Sequence, residues 1–206
     1  MIGVIDYGGG NLASVGYALD RLGVEWVLVH RARDLDRVQS VVFPGVGSAG
    51  AAMTRLGAAG LDVALTGYLR SGRPYLGICL GLQLLFEESA EDGGACLGAL
   101  EGRVVRLATP EKLPHVGWNT IELNGSGGAL EGLDGEAFYF THSYVVEPVS
   151  PTVVAARTTH GIPFVSAVAA GSVLGVQFHP ERSGKAGLRL LANFAANCQR
   201  ALADAG

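Results

Sequence analysis

The sequence is poor in the residues that would tie it to a metal, a membrane or a nucleic acid. It has three cysteines, Cys79, Cys96 and Cys198. They form no C-x-x-C pair and no even framework, which argues against a zinc ribbon and a disulfide scaffold. Cys96 and Cys198 are read as ordinary core or surface thiols, and neither a metal nor a cofactor is expected. Lys and Arg together number 15 against 19 Asp and Glu, a formal net charge of −4. That balance offers no basic footprint for nucleic acid, and no run of like charge marks a tail. No apolar run reaches the roughly 18 residues that a membrane span requires. The start, Met1 to Asp6, lacks a positive n-region and a cleavage site, so it reads as a first strand, and a cytoplasmic location is expected. No Pro/Ser-rich or charged linker divides the chain and no solenoid period repeats, so a single domain over 1–206 is expected.

What the chain does have is alternation. Apolar runs at 2–5, 25–29, 40–43 and 75–78 alternate with helical patterns, the signature of βαβ units and a largely parallel sheet. In the first helix Leu12, Val15, Leu19 and Leu22 recur at three- and four-residue spacing behind Asn11, a good N-cap residue. From about 103 to 170 the pattern changes to short strands at 103–107, 119–123, 137–140, 144–147, 153–157 and 164–169. This half is expected to be antiparallel, with loops such as Asn124 to Gly128. A last helix from about Ala186 to Ala203 puts Leu188, Leu191, Ala195, Cys198 and Leu202 on one stripe for packing on the sheet.

The segment richest in chemistry is Tyr75 to Gln83. An apolar strand runs into Gly77-Ile78-Cys79-Leu80-Gly81 and then into a helical pattern, which reads as a nucleophile elbow. The two glycines let strand and helix pass closely, and Cys79 is pushed out above the sheet at a helix N-terminus. A helix dipole is worth roughly 0.3–2 kcal/mol, while one pKa unit is about 1.36 kcal/mol. It cannot by itself bring a thiol of pKa about 8.5 far below neutrality, so a basic partner is required.

That partner is sought in His179. The run Val173 to Phe178 reads as a buried strand, stopped at His179-Pro180-Glu181 by the proline, which holds His179 extended. Residues two apart in an extended segment face the same side, so Glu181 can fix the tautomer of His179 while the imidazole takes the thiol proton. Alone, His179 would more often be a strand-end histidine satisfied by backbone; the elbow beside it reverses that balance. An attacked carboxamide also needs an oxyanion hole of preset amides. Leu80, which follows the nucleophile, is one candidate. The second lies in Val41 to Gly47, where a strand breaks into Pro44-Gly45-Val46-Gly47, although such residues also punctuate ordinary turns. The Gly8-Gly9-Gly10 loop lacks the spacing and the acidic residue of a dinucleotide fingerprint.

These pieces resemble the class I (triad) glutamine amidotransferases over nearly the whole chain. The elbow and His179-Pro180-Glu181 are common to that group. Ile5 to Leu12, Phe43 to Gly47, Pro114 to Asn119, Tyr139 to Tyr144 and Gly175 to Glu181 are more narrowly similar to its glutaminase subunits of imidazole glycerol phosphate synthase. The resemblance implies a flavodoxin-like α/β fold with a mostly parallel sheet flanked by helices and an antiparallel portion in the second half. It implies that Cys79 attacks the glutamine side-chain carbonyl, His179 shuttles the proton and Glu181 orients it. It also implies that the Leu80 and Val46 amides form the oxyanion hole and that Gly47, Gln83, Ser143 and Tyr144 hold the glutamine. Two positions depart from the pattern: Thr141, where similar subunits often carry an aliphatic residue, and Arg182, where they often carry lysine.

A glutaminase that feeds a synthesis must deliver ammonia before it is protonated, through a dry path to a second active site. The chain is spent on one glutaminase domain, so a separate acceptor is expected. The resemblance names it as a cyclase subunit, a (β/α)8 barrel of histidine biosynthesis. His115, Trp118, Asn119, Tyr139 and Arg182 are the candidates for contacting it, with Trp118 and Tyr139 equally readable as core or rim aromatics. Three alternatives stand beside this expectation: the amidotransferase subunit of another pathway, such as pyridoxal phosphate or anthranilate synthesis, an elbow hydrolase acting alone, and a non-catalytic scaffold.

Overall fold

In the computed structural model of the chain, residues 1–125 and 127–203 are described, with side chains through Arg200. Ser126 of the glycine-rich loop and the Leu202 side chain of the expected helical stripe lie outside the described residues. The first half is β1 (Ile2–Ile5), α1 (Leu12–Arg21), β2 (Trp26–Val29), β3 (Ser40–Gly45), α2 (Ala49–Ala58), α3 (Leu61–Arg70), β4 (Tyr75–Cys79) and α4 (Leu80–Gln83). It continues through β5 (Glu88–Ser89), β6 (Gly94–Ala95), β7 (Gly102–Arg106), β8 (His115–Thr120), β9 (Glu122–Leu123), β10 (Ala137–His142) and β11 (Tyr144–Pro148). The chain closes with β12 (Val154–His160), β13 (Ile162–Ala170), β14 (Val173–Val176) and α5 (Gly184–Ala203).

The main sheet runs β2-β1-β3-β4-β14-β13-β11-β7-β5-β6, with β12 beside β13 and β9 beside β12. From β2 to β14 every pairing is parallel, and from β14 to β13 onward the pairings are antiparallel except between β5 and β7. The expected mostly parallel α/β sheet with an antiparallel second half is therefore what forms. Both faces of its parallel part are covered, as such sheets require. One face packs Val4, Leu76, Ile78 and Phe178 with Leu19 of α1 and Leu190 and Leu191 of α5. The other packs Ile5, Phe43 and Tyr75 with Leu56 of α2 and Leu65 of α3. Among the described residues no helix is long and apolar enough to cross a membrane.

Several local expectations are corrected. The run 119–123 is not one strand: β8 pairs with β10 in a separate two-stranded ribbon, whereas β9 joins the main sheet through β12. Ile121, fully buried between them, anchors the switch of sheets. Asn11 does precede α1, but its side chain makes no capping hydrogen bond; its backbone carbonyl opens the ladder by accepting from Val15. The helix after Cys79 is a single turn, because Leu80, Leu82, Leu84, Leu85 and Phe86 are all buried and leave no polar face for a longer surface helix. A four-residue turn carries little dipole, so the thiol depends more on its side-chain neighbours than the sequence pattern implied.

Candidate active site

Cys79 ends β4, and its φ of 53° is the one positive value at a non-glycine among the described residues. Such a backbone is strained for an L-residue and marks an element held in place by its surroundings. The strain breaks the strand's two-residue alternation. Cys79 packs in the cluster of Leu76 and Ile78 instead of continuing the face of Tyr75. The flanking glycines are sterically required, since a methyl on Gly77 would collide with the Gly81 carbonyl and one on Gly81 with the Phe43 carbonyl. Tyr75 tightens the elbow, its hydroxyl donating to the Gly81 carbonyl at 2.9 Å.

β14 lies beside β4 in register, Val176 opposite Ile78, and carries His179 to the same end of the sheet as Cys79. The strand stops at Val176, two residues before the expected Phe178. His179 Nδ1 lies 2.9 Å from Glu181 Oε1, with side chains only 2% and 1% exposed. The outcome matches the sequence expectation but the cause differs. Pro180 to Arg182 form a 3-10 turn, and it is this turn, not an extended segment, that folds Glu181 back beside the imidazole. Because the carboxylate accepts, Nδ1 carries the proton and Nε2 is left for the thiol. Burial pushes the His179 imidazole down, but the neighbouring Cys79 and Glu181 outweigh it and raise the group to about 10. His179 Nε2 itself is buried with no hydrogen-bond partner among the described residues.

The Pro44–Gly47 segment reaches the same place because Gly45 is the cross-strand partner of Cys79. A Cβ on Gly45 would stand 2.7 Å from the Leu80 Cβ, so the end of β3 runs directly against the residue that follows Cys79. The Val46 amide is engaged by the Tyr7 hydroxyl at 3.3 Å, and that hydroxyl also lies 3.3 Å from the Val46 carbonyl. Burial raises the Tyr7 phenol, with the Val46 hydrogen bond opposing. The Gly8–Gly10 loop packs behind this segment; a Cβ on Gly10 would meet the Pro44 carbonyl oxygen at 2.7 Å.

Of the glutamine candidates, Gln83 is buried and both of its amide protons are used. Nε2 donates to the Tyr144 carbonyl at 3.1 Å and to Gln177 Oε1 at 3.3 Å. Only its Oε1 remains to meet a ligand, so it can accept from an ammonium but not bind a carboxylate. Gly47 has a φ of 95° and open space at its Cα, which keeps that edge of the site unobstructed. Ser143 links β10 to β11, its carbonyl accepting from Leu107.

The partner-facing candidates divide by strand alternation. Trp118 is 60% exposed and meets Tyr139 edge-on at 6.3 Å, and the Arg182 guanidinium sits 4.2 Å over the Tyr139 ring. Thr141 pairs with Val116 in the same ribbon. His115 is buried, stacked between Phe140 and His160, and offers almost no surface for direct contact. Asn119 points the same way, its Nδ2 donating to the Thr159 carbonyl at 2.8 Å and lying 3.3 Å from His115 Nε2. Sequence reasoning assigned no role to three residues here. Tyr7, Gln177 and Ser183 all touch the site; Tyr7 and Gln177 lie within segments that carry the family resemblance, and Gln177 is also a polar residue inside an apolar run. A cavity of about 410 Å³ lies between the 124–130 loop and Ser172 to Leu174, at the opposite end of β4 and β14 from Cys79.

A strained cysteine elbow, a buried His–Glu pair and a paired glycine strand form the arrangement of an acyl-transfer site. The family model for the class-I glutamine amidotransferases matches residues 3–198.

This chain belongs to the class-I glutamine amidotransferase family.

Among similar proteins of this family is the imidazole glycerol phosphate synthase subunit HisH of Methanothermobacter thermautotrophicus, 44% identical over 94% of this chain and 97% of that protein. The subunit of the same name from Desulfovibrio desulfuricans is 42% identical over 100% of this chain and 98% of its own length. Among solved structures, a glutamine amidotransferase crystal structure superposes with a TM-score of 0.77 at 24% identity, covering 96% of this chain and 98% of that one. PurLQS from Thermotoga maritima gives 0.75 at 20% identity, covering 95% and 97%. These structures share the amidotransferase fold.

Proposed function

We propose that this chain is the glutaminase subunit of an imidazole glycerol phosphate synthase, a single amidotransferase domain over 1–206 working in the cytoplasm. Cys79 Sγ, its proton already taken up by His179 Nε2, attacks the side-chain carbonyl carbon of glutamine. The oxyanion is received by the Leu80 and Val46 amides. As the carbon–nitrogen bond breaks, the imidazolium returns its proton to the leaving nitrogen, releasing ammonia and leaving a Cys79 thioester. Water, deprotonated by His179, then attacks the thioester and glutamate departs with the thiol restored. Glu181 keeps the imidazole in the required tautomer throughout. Gly47, Gln83, Ser143 and Tyr144 hold the substrate. Ammonia passes to a cyclase subunit, a (β/α)8 barrel, docked on the face that carries Trp118, Tyr139 and Arg182. Arginine at 182 presents a planar fork in place of an ammonium, so its ion pair with a partner carboxylate takes a different geometry.

The observation that carries this reading is the buried 2.9 Å His179–Glu181 pair beside the elbow cysteine, together with the names of relatives that cover this chain almost end to end. The test is glutamate release from glutamine by the purified chain, with and without the cyclase subunit and its nucleotide ligand. Strong activation by the partner is expected, with Cys79→Ala lowering the rate by about 10⁴-fold or more. Full activity of the chain alone, or indifference to that partner, would point to another amidotransferase.

A further inference from the structure

The sulfur of Cys79 has a neighbour that none of these steps uses. Gln177 follows the last residue of β14, where Val176 is still paired with Ile78, so the departing chain leaves its side chain next to the elbow. The residue is completely buried, and its backbone N–H is held by the Ser166 carbonyl at 2.9 Å. Its amide nitrogen, Nε2, stands 3.5 Å from Cys79 Sγ, and its Oε1 accepts from Gln83 Nε2 at 3.3 Å.

An amide can be turned end for end, so its orientation needs an independent argument. Here the Tyr144 carbonyl supplies one. A carbonyl only accepts, so the Gln83 atom facing it is the nitrogen. That same nitrogen faces Gln177, whose near atom must then be the oxygen, and the N–H end of Gln177 is left pointing at the sulfur.

We propose that Gln177 is a thiol-holding residue of the glutaminase site, donating its amide N–H to Cys79 Sγ and favouring negative charge on the nucleophile. The inference rests on Cys79 being that nucleophile. A hydrogen bond strengthens when its acceptor becomes charged, and more so in a buried site of low dielectric, so this contact acts most on the attacking thiolate and on the sulfur leaving at thioester hydrolysis. It complements His179, whose Nε2 has no hydrogen-bond partner among the described residues. Gln177 does not titrate, so its hold on the sulfur persists while His179 gains and loses the proton.

The decisive variant is Gln177→Met, close in length and without an N–H. The readouts are the rate of Cys79 alkylation by iodoacetamide at pH 7, with the labelled cysteine located by mass spectrometry, and kcat and KM for glutamine in the complex. Alkylation and kcat are expected to fall about tenfold or more, the scale of a lost hydrogen bond to a charged group, with KM nearly unchanged. Wild-type alkylation by the folded variant overturns the proposal. If the methionine variant does not fold, Gln177→Asn, which withdraws the amide by one methylene, is expected to show the same loss, and wild-type alkylation there overturns it equally. Alkylation needs no glutamine, so a chain that shows this loss but never hydrolyses glutamine would count against the glutaminase reading alone.

Discussion

Ser183 Oγ donates to the carbonyl of His179 at 2.6 Å and accepts the amide of Tyr139 at 2.9 Å. The His179 amide donates in turn to the Tyr139 carbonyl at 2.9 Å. Two of these hydrogen bonds tie the turn that bears His179 and Glu181 to Tyr139 of β10, and the third braces the turn internally. The same β10 residue presents the ring on which Arg182 and Trp118 rest. The ribbon proposed to meet the cyclase is bonded directly to the backbone of the proposed proton carrier.

Replacing Ser183 with alanine removes the acceptor of the partly buried Tyr139 N–H and weakens the tether of His179. The expected result is a loss of about 1–3 kcal/mol of stability, the range for an unsatisfied buried donor, with kcat falling more than KM rises. Urea denaturation and steady-state kinetics on one preparation check both halves. Unchanged stability would show that water or a neighbour replaces the hydroxyl.

Tyr7 and Val46 suggest why the free chain should be slow. The Val46 amide is bound to the Tyr7 hydroxyl, while the glycines on either side leave the segment free to reorient. One oxyanion donor is worth about 10²–10³ in rate. Tyr7→Phe removes the competing acceptor and is expected to raise glutamate release by the isolated chain by up to about 10²-fold, with little effect once the partner is bound. A slower or unaltered isolated chain would sink the idea.

The buried histidines predict how stability depends on pH. His142 Nδ1 lies 3.0 Å from the Tyr144 carbonyl, and its Nε2 lies 3.0 Å from His115 Nδ1, an arrangement satisfied with both rings neutral. Burial, together with neighbouring imidazoles, lowers His115 to about 4 and His142 to about 3. In the unfolded chain both take up protons near 6.5. Between that pH and the folded values the unfolded state binds more protons, so stability is full above about 6.5 and declines as pH falls toward 4 and 3. His179 has the opposite sign: its contribution is complete below about 6.5 and is lost as pH rises through about 10. Melting temperatures from pH 7.5 to 4.5 should therefore drop. His142→Asn, which keeps a donor for Tyr144 but cannot titrate, should flatten that slope; an equally steep decline in the variant would assign it elsewhere.

Much of the site could be read without a structure because its chemistry is local. Gly77-Ile78-Cys79-Leu80-Gly81 codes its own turn, since only glycine tolerates the contacts at 77 and 81. His179-Pro180-Glu181 carries the proposed base and its carboxylate partner within three residues. The period of the apolar runs was enough for the parallel half of the sheet, because strands buried on both faces need uninterrupted apolar stretches. Where neighbours come from distant segments, the pattern was silent or misled. His115, a candidate for partner contact on the sequence, is buried. The helical pattern after Cys79 folds as a single turn.

The amino-acid sequence by itself determined the elbow, the pairing of His179 with Glu181 that is proposed to carry the proton, and the order of the βαβ units, since each depends on residues close together along the chain. Only the tertiary structure decided that Gln177 faces the sulfur, that Tyr7 occupies the Val46 amide and that Ser183 fastens His179 to β10. Those contacts span 98, 39 and 44 residues for the Cys79, Val46 and Tyr139 bonds. A hydrogen bond across such separations is specified by the register of packed strands and the closure of a common core, and no single stretch of sequence contains that information.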